Sequence, residues 1–269
     1  MHNWDYQLLK PRYLSVVIFM FSIALSGCVS KEYIANSDQV IQERVINAKE
    51  AALARLKLAL EYLRTGKTAQ AKLNLDRAEK LAPTIDGIHS SYAYYYQQVG
   101  EVSLADKSYV KALILFPNNY NTRNNYGAFL CENHRYDEAE HQFSMSIKSS
   151  LNPQIANSHE NAGLCALRDN NWLRAKNHFS AVLGYESLRV RAILGLVKVN
   201  IELDDINAAI LHLNDYKRIY SQTSQSLWLA IQIEYKRRKM ILVNQLGTIL
   251  LEKYPNSTAA ESYLAKSWK

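Results

Sequence analysis

Cysteine and histidine side chains offer the clearest chemistry in this sequence, because both bind metals and cysteines are also readily oxidised or acylated. Four of them lie close together along the chain, at Cys131, His134, His159 and Cys165. Their spacings are superficially those of a zinc site. Whether the four side chains meet in space depends on the elements that carry them.

Motifs for catalysis are absent. The sequence has no Gly-x-Ser-x-Gly nucleophile elbow, no phosphate-binding Walker loop and no dinucleotide-binding run of glycines. Residues 159–163 (HENAG) lack the second histidine of a His-Glu-x-x-His zinc motif. The tyrosines and asparagines provide no converging acid, base and nucleophile. We therefore predict that the protein is not an enzyme and uses no cofactor.

The remaining cysteine, Cys28, ends an export signal. Lys10 and Arg12 precede an apolar run, residues 13–26, that is short for a membrane-spanning helix. The run leads into LSGC, the pattern of a bacterial lipobox, which predicts removal of residues 1–27 and acylation of Cys28. An ordinary signal peptide with an incidental cysteine is the alternative. Val29 in the next position favours sorting to the outer membrane, with the lipid-anchored protein facing the periplasm.

Composition indicates a folded helical protein. The chain has 48% hydrophobic and 21% charged residues, with nine glycines and five prolines among 269 residues. Its formal net charge is +7, but the basic residues are scattered, and residues 235–239 (YKRRK) form the one basic run. No aromatic residues alternate with a basic stripe, so we predict no nucleic-acid partner. The positive charge still favours anionic headgroups or acidic partners.

A repeat of about 34 residues organises the chain. Six copies follow one another at spacings of 34, 34, 36, 34 and 34 residues, and position twenty is alanine in five of them. The copies begin at Ala52, Asp86, Tyr120, Ala156, Val190 and Ser224. In the third copy Gly127 and Ala139 are the small residues at positions eight and twenty, and Phe143 is at position twenty-four. This pattern resembles the tetratricopeptide repeat, in which small residues lie where two antiparallel helices touch.

The repeat predicts an all-α tetratricopeptide-repeat superhelix over residues 52–269, built from six helix-turn-helix repeats. Residues 256–269 are expected to include a C-terminal capping helix that begins at an Asn or Ser N-cap. Repeats five and six depart most from the pattern, as terminal repeats often do. Residues 28–51 match no repeat, and we predict that they form the lipidated N-terminus followed by a tether or a capping segment.

This fold decides between the metal site and a disulfide. His134 is at position fifteen and His159 at position four, which places them about 16 Å apart along the helix direction, so we predict no metal site. Cys131 and Cys165 lie at similar levels on neighbouring first helices. Because an exported protein enters an oxidising compartment, this placement favours a disulfide over two buried thiols.

The first helices of the repeats should line a concave face that receives partners. Repeat one carries leucines on both sides of its first helix, including Leu53, Leu56, Leu60 and Leu63. These form an apolar groove for a partner helix or strand, unless the segment before residue 51 folds over them as a cap. Further along, polar and aromatic residues suit an extended peptide, with an ordinary solvated face as the alternative. They are Tyr94, Gln97, Asn121 and Asn124.

The lipobox, the six repeats and three segments (NNYGAFLC, YDEAEHQF and NAGLCAL) together resemble the type IV pilus biogenesis and stability lipoproteins, the PilF/PilW family. The resemblance covers essentially the whole mature chain. It implies a disulfide between repeats three and four, which falls on Cys131 and Cys165. It also implies a pilotin that binds the outer-membrane secretin through repeat one and promotes secretin localisation and multimerisation, with other pilus proteins as further partners.

A general outer-membrane repeat lipoprotein is the second interpretation. Such a protein would scaffold peptidoglycan enzymes or other envelope complexes, and it would share the lipobox and the repeats without needing the matched cysteine helices. The departures of repeats five and six from the consensus leave their contacts with partners open.

Overall fold

Within residues 37–266 the chain forms six pairs of helices, and a short thirteenth helix follows the last pair. The computed structural model describes the backbone of residues 37–266 and the side chains from residue 47 onward, and this part contains helices and no strands. Cys28 and the predicted signal peptide lie outside the described residues. The helices are α1 (Ser37–Arg64), α2 (Thr68–Leu81), α3 (Ile88–Gln98), α4 (Val102–Leu115), α5 (Tyr120–Glu132), α6 (Tyr136–Ile147), α7 (Ile155–Arg168), α8 (Trp172–Tyr185), α9 (Val190–Glu202), α10 (Ile206–Ile219), α11 (Ser224–Lys236), α12 (Met240–Lys253) and α13 (Thr258–Leu264).

The predicted repeat register is confirmed by the helix boundaries. From repeat two onward, each first helix begins within two residues of the predicted start of its repeat. Helix α1 begins before repeat one, because residues 37–51 form its first part. Within residues 37–266, no helix is both long enough and apolar enough to cross a membrane.

The turn between the two helices of every repeat has the same backbone geometry. At position fifteen the chain adopts a positive φ in all six repeats, at Gly66, Gly100, His134, Asn170, Asp204 and Arg238. The next residue donates its N–H to the carbonyl five residues earlier, as Lys67 does to Tyr62 and Lys239 to Glu234. This is the Schellman motif, which satisfies the last carbonyls of the first helix and reverses the chain. The turn is therefore kept even where position fifteen is not glycine.

Small residues allow the two helices of a repeat to touch. All six side chains at position twenty, from Ala71 to Val243, are completely buried. A Cβ added to Gly127 would lie 2.8 Å from the Phe143 ring, closer than side-chain carbon atoms approach one another. The ring of Phe179 occupies the same place against Gly163 of its own repeat. Close packing at this density leaves no room for another methyl group.

The C-terminal helix replaces a side chain that repeat six lacks. Position twenty-four holds leucine or an aromatic residue in repeats one to five but Gly247 in repeat six. A Cβ at Gly247 would overlap the ring of Tyr263, which belongs to α13. Ser257 begins α13 as its N-cap by accepting a hydrogen bond from the backbone N–H of Ala260. The apparent loss of the consensus at Gly247 is thus the space that the capping helix fills.

A disulfide joins Cys131 of α5 to Cys165 of α7, with 5.8 Å between the two Cα atoms. Both residues are buried in a core cluster that also contains Phe129 and Phe143. In a stack of repeats each unit contacts only its neighbours, so a covalent link between repeats three and four reinforces one such interface.

The close approach at Gly127 yields a stability prediction. We expect Gly127→Ala to lower the free energy of unfolding by about 1–3 kcal/mol, because the added methyl group collides with the Phe143 ring. Gly184→Ala is the matched control, since no atom lies within 4 Å of a Cβ there, and alanine in a helix gains about 0.5–1 kcal/mol. Urea unfolding followed by circular dichroism compares the two, and equal midpoints for Gly127→Ala and the wild type contradict the packing argument.

The disulfide yields a second prediction. Replacing Cys131 and Cys165 together by serine should cost roughly 3–4 kcal/mol, the chain-entropy value for a loop of this length. Reductant should destabilise the wild type and leave the double variant unchanged. Thiol titration of the unreduced, denatured protein checks the bond directly, because two reactive thiols at these positions show that it does not form.

Candidate partner-binding groove

A groove with a volume of about 400 Å³ lies where α1, α3 and α5 meet, and we call it the repeat-one groove. Repeats one, two and three all contribute to it. It is lined by Leu56, Leu60, Asp86, Gly87, Ser90, Ser91, Tyr94, Asn119, Asn121, Thr122 and Asn125. Its volume is within the range of small ligand sites, and its open form suits a segment of another protein.

One end of the groove is apolar. Leu60 is 43% exposed, whereas Leu56 is 8% exposed and forms the floor. Gly87 also lines this end and has a φ of +94° at the N-cap of α3, a backbone conformation that side-chain-bearing residues rarely adopt. The ring of Tyr94 lies beside the leucines and is 42% exposed. An apolar side chain of a partner can therefore be buried here.

The other end is polar and partly fixed. Asn119 donates from Nδ2 to both carboxylate oxygens of Asp86 at 2.8 Å. Its Oδ1 accepts the backbone N–H of Thr122 and so caps α5. Asn121 and Asn125 are exposed, and among the described residues neither side chain makes a hydrogen bond. Their amides are free to pair with the backbone of an extended peptide.

Five of the eight residues predicted to bind partners are on the surface or line the groove. Leu56, Leu60, Tyr94 and Asn121 all line it. Leu53 is 44% exposed on α1 but is not part of the lining. The structure thus joins leucines from repeat one with polar residues that the sequence assigned to a separate strip.

The other three predicted residues have internal roles. Leu63 is only 1% exposed and belongs to the core. Gln97 accepts a hydrogen bond from the hydroxyl of Tyr109, whose pKa is raised by burial. Asn124 accepts one from the side-chain amide of Asn161 in the next repeat. Leu63 is therefore unavailable to a partner, which corrects the sequence interpretation for that residue. Gln97 and Asn124 are half-buried, and each already binds one neighbour.

Several groove residues were missed from the sequence. Ser90, Thr122 and Asn125 line the groove beside the predicted residues. The pair formed by Asp86 and Asn119 connects the loops that precede helices α3 and α5, and the two residues are 33 positions apart, close to the repeat length. That near-periodic spacing of an acid and an amide is the signal that could have revealed the pair.

The residues considered for zinc have other partners. Cys131 and Cys165 are bonded to each other. His159 Nδ1 lies 3.0 Å from His178 Nδ1, and His178 Nε2 lies 3.2 Å from the carboxylate of Glu140. Burial, followed by the nearby His178, lowers the pKa of His159. In the part of the chain that the structure describes, no cluster of His, Cys, Asp and Glu side chains is arranged to hold a metal ion.

Chemically, the repeat-one groove can bind but has little means of catalysis. Asp86 and Tyr94 are its titratable side chains, and Asp86 is held by Asn119. A nucleophile with a neighbouring base, the arrangement that acyl or phosphoryl transfer needs, is not found among the lining residues. The combination of an apolar floor with free amides is typical of surfaces that recognise peptide segments.

Comparison with known sequences agrees with this architecture. A tetratricopeptide-repeat family model matches residues 108–141. The type IV pilus assembly protein PilF of Pseudomonas aeruginosa is 27% identical over 252 residues, which cover 94% of this chain and 98% of that protein. An uncharacterised protein of Haemophilus influenzae is 37% identical over 153 residues, covering 57% of this chain and 79% of its own length.

Solved structures give the same result. A structure from a functional characterisation of Pseudomonas aeruginosa PilF has a TM-score of 0.70 and 28% identity, covering 82% of this chain and 99% of that one. PilW, described as a widely conserved type IV pilus biogenesis factor, also has a TM-score of 0.70, at 21% identity, covering 79% of this chain and 98% of its own. At this identity, the similarity to PilW concerns the fold alone.

Leu60 and Leu63 both lie on α1 but differ in burial, and this difference leads to the next prediction. Leu60→Glu should change the free energy of unfolding by no more than about 0.5 kcal/mol, because the side chain is substantially exposed. Leu63→Glu should cost roughly 3 kcal/mol or more, since it removes buried apolar atoms and buries a carboxylate. Thermal melts of the two variants check this, and equal losses of stability would mean that Leu60 is also covered.

Proposed function

We propose that this chain, a tetratricopeptide-repeat protein homologous to PilF, takes part in type IV pilus biogenesis by binding another pilus protein in the repeat-one groove. The observation that carries the proposal is the similarity to PilF along almost the whole of both chains. It extends through all six repeats, so the shared feature is the complete array. The PilW structure matches the fold of this array and adds no support for the role.

The proposed partner is the type IV pilus secretin, and the proposed activity is that of a pilotin, which promotes secretin localisation and multimerisation. The repeat-one groove supports this choice. Its floor at Leu56 receives an apolar side chain, and the free amides of Asn121 and Asn125 bind the backbone beside it. Other pilus proteins are candidates for the remaining surface of the array.

We also propose that the protein is anchored to the outer membrane through an acylated Cys28 and faces the periplasm. The support is the LSGC lipobox after a short apolar run, together with Val29 in the following position. The disulfide between Cys131 and Cys165 fits a protein that folds in an oxidising compartment. Several buried acyl chains would hold the protein at the membrane far longer than one chain.

The role is one of binding and not of catalysis, in keeping with a tetratricopeptide-repeat array whose groove lacks a catalytic set of side chains. Assembly of a large membrane pore needs a protein that captures subunits and delivers them. A groove with an apolar floor and a polar wall suits a segment exposed on an unassembled subunit, because oligomerisation can later release it.

Complementation of a deletion strain tests the pilotin proposal. Deletion of the gene should remove secretin multimers, seen as heat-stable bands on immunoblots, and also remove surface pili. The wild-type gene should restore both, and Leu60→Glu should not, because a carboxylate at the groove opposes an apolar anchor. Leu73→Glu is the matched control, since Leu73 is 49% exposed on α2 of the same repeat but does not line the groove.

Two outcomes would count against the proposal. Restoration of multimers by Leu60→Glu at normal protein levels would exclude the groove. Normal multimers and pili in the deletion strain, with altered cell-wall turnover, would favour the general envelope scaffold.

In the same strains, Cys28→Ser should move the protein out of the outer-membrane fraction, and an unchanged distribution would contradict the anchor.

A further inference from the structure

The turn of repeat six exposes seven consecutive residues of two kinds. Lys236, Arg237, Arg238 and Lys239 are followed directly by Met240, Ile241 and Leu242, and all seven are exposed. We call residues 236–242 the repeat-six patch. Four basic residues beside three apolar ones, all on the surface, require an explanation that the core and the repeat-one groove do not supply.

The backbone makes this patch protrude. Arg238 has a φ of +58° and is the position-fifteen residue of the Schellman turn, so the chain reverses direction at this point. Lys239 is the N-cap of α12 and provides no side-chain cap for it. The first backbone N–H groups of α12 therefore add partial positive charge where the basic residues lie.

The positive charge of the patch is only partly neutralised. Lys236 lies 3.1 Å from Asp204 of repeat five, and Arg237 lies 2.8 Å from Glu234 on its own helix. Within residues 47–266, Arg238 and Lys239 form no ion pair. The patch thus keeps two exposed cations that no carboxylate of residues 47–266 pairs with.

The apolar residues next to these cations are unusually open to solvent. Ile241 is 77% exposed, the largest exposure among the large hydrophobic side chains of the described residues, and Met240 is 46% exposed. Leu173, at the same position of repeat four, is 64% exposed, but its turn reads Arg168, Asp169, Asn170, Asn171. Repeat four therefore provides a matched site with the apolar residue and without the basic run.

We propose that the repeat-six patch is a docking surface for a membrane that carries anionic lipid headgroups. Cations near an anionic bilayer are attracted to it, and apolar side chains beside them gain by entering the boundary between headgroups and acyl chains. A convex turn with a few protruding side chains suits a fluid surface, which can admit them one at a time. A stable protein interface needs a larger complementary area.

This surface is separate from the proposed partner site. The patch lies at the turn within repeat six, whereas the repeat-one groove is formed by repeats one to three. The inference does not depend on the secretin or on Cys28, so its failure would leave the proposed function standing. With a lipid anchor at the other end of the chain, a second contact would limit the orientations of the array at the membrane.

A fluorescent label at Ile241 tests the proposal. The full chain with Cys28→Ser and the disulfide intact receives Ile241→Cys, labelled with an environment-sensitive dye, and Leu173→Cys labelled in the same way is the control. The probes are vesicles of phosphatidylcholine alone or with roughly 30% phosphatidylglycerol. Both variants share the N-terminal segment, so any binding through that segment contributes equally to both.

We expect the emission of the label at position 241 to shift to shorter wavelength with anionic vesicles, and the shift to disappear at high salt. Position 173 and the uncharged vesicles should produce no comparable shift. No response at position 241, or the same response to both kinds of vesicle, would overturn the proposal. A shift with a lipid-free extract of envelope proteins, in the absence of a response to vesicles, would assign the patch to an acidic protein and would also overturn it.

Charge substitutions provide an independent check. Arg238→Asn with Lys239→Gln should lower the partition coefficient onto anionic vesicles by roughly 30-fold, and asparagine tolerates the left-handed backbone at position 238. Lys67→Gln with Lys107→Gln removes the same charge at two exposed positions outside the patch. Equal binding by the two double variants, both with wild-type melting curves, would show that the patch has no specific role.

Discussion

Close contact between a large side chain and a residue with little or no side chain is the constraint on which the whole array depends. The ring of Phe179 lies between Gly163 of its own repeat and Gly195 of the next. A Cβ atom added to either glycine would lie only 2.6–3.0 Å from the ring. One aromatic residue thus fixes the spacing of two helices within a repeat and of two neighbouring repeats. The first helices consequently stand side by side, and this alignment creates a continuous face on which a groove can form.

The loops have a second, complementary effect. All six turns within repeats have a left-handed backbone at position fifteen, whatever the residue type, and the sixth of these turns carries the repeat-six patch. Connections between repeats carry the residues that complete the groove, including Asp86, Gly87 and Asn119. Surface chemistry therefore varies at the two kinds of connection, while the helices between them keep the repeat spacing. A repeat protein can acquire separate binding surfaces in this way without changing its core.

Period and side-chain size were enough to predict the fold, because position twenty is alanine in five repeats and valine in the sixth, and all six side chains are fully buried. The site was harder to predict. Leu60 and Leu63 are both leucines of α1, but Leu60 is 43% exposed and Leu63 is 1% exposed, because their side chains lie on different faces of the helix. Gln97 and Asn124 are polar at groove positions but bind Tyr109 and Asn161. Such pairings depend on neighbouring helices, which the pattern of one repeat does not describe.

The disulfide connects the stability of the array with its binding surface. Helix α5 contributes Asn121, Thr122 and Asn125 to the polar wall of the repeat-one groove, and the same helix carries Cys131. The bond to Cys165 holds α5 against α7, on the side of α5 that faces the next repeat. Binding is weaker when part of the binding surface must become ordered first. Because the disulfide already holds α5 in place, its asparagine amides would bind a partner at a lower entropic cost. In the proposed function, the disulfide would therefore favour recognition as well as stabilise the fold.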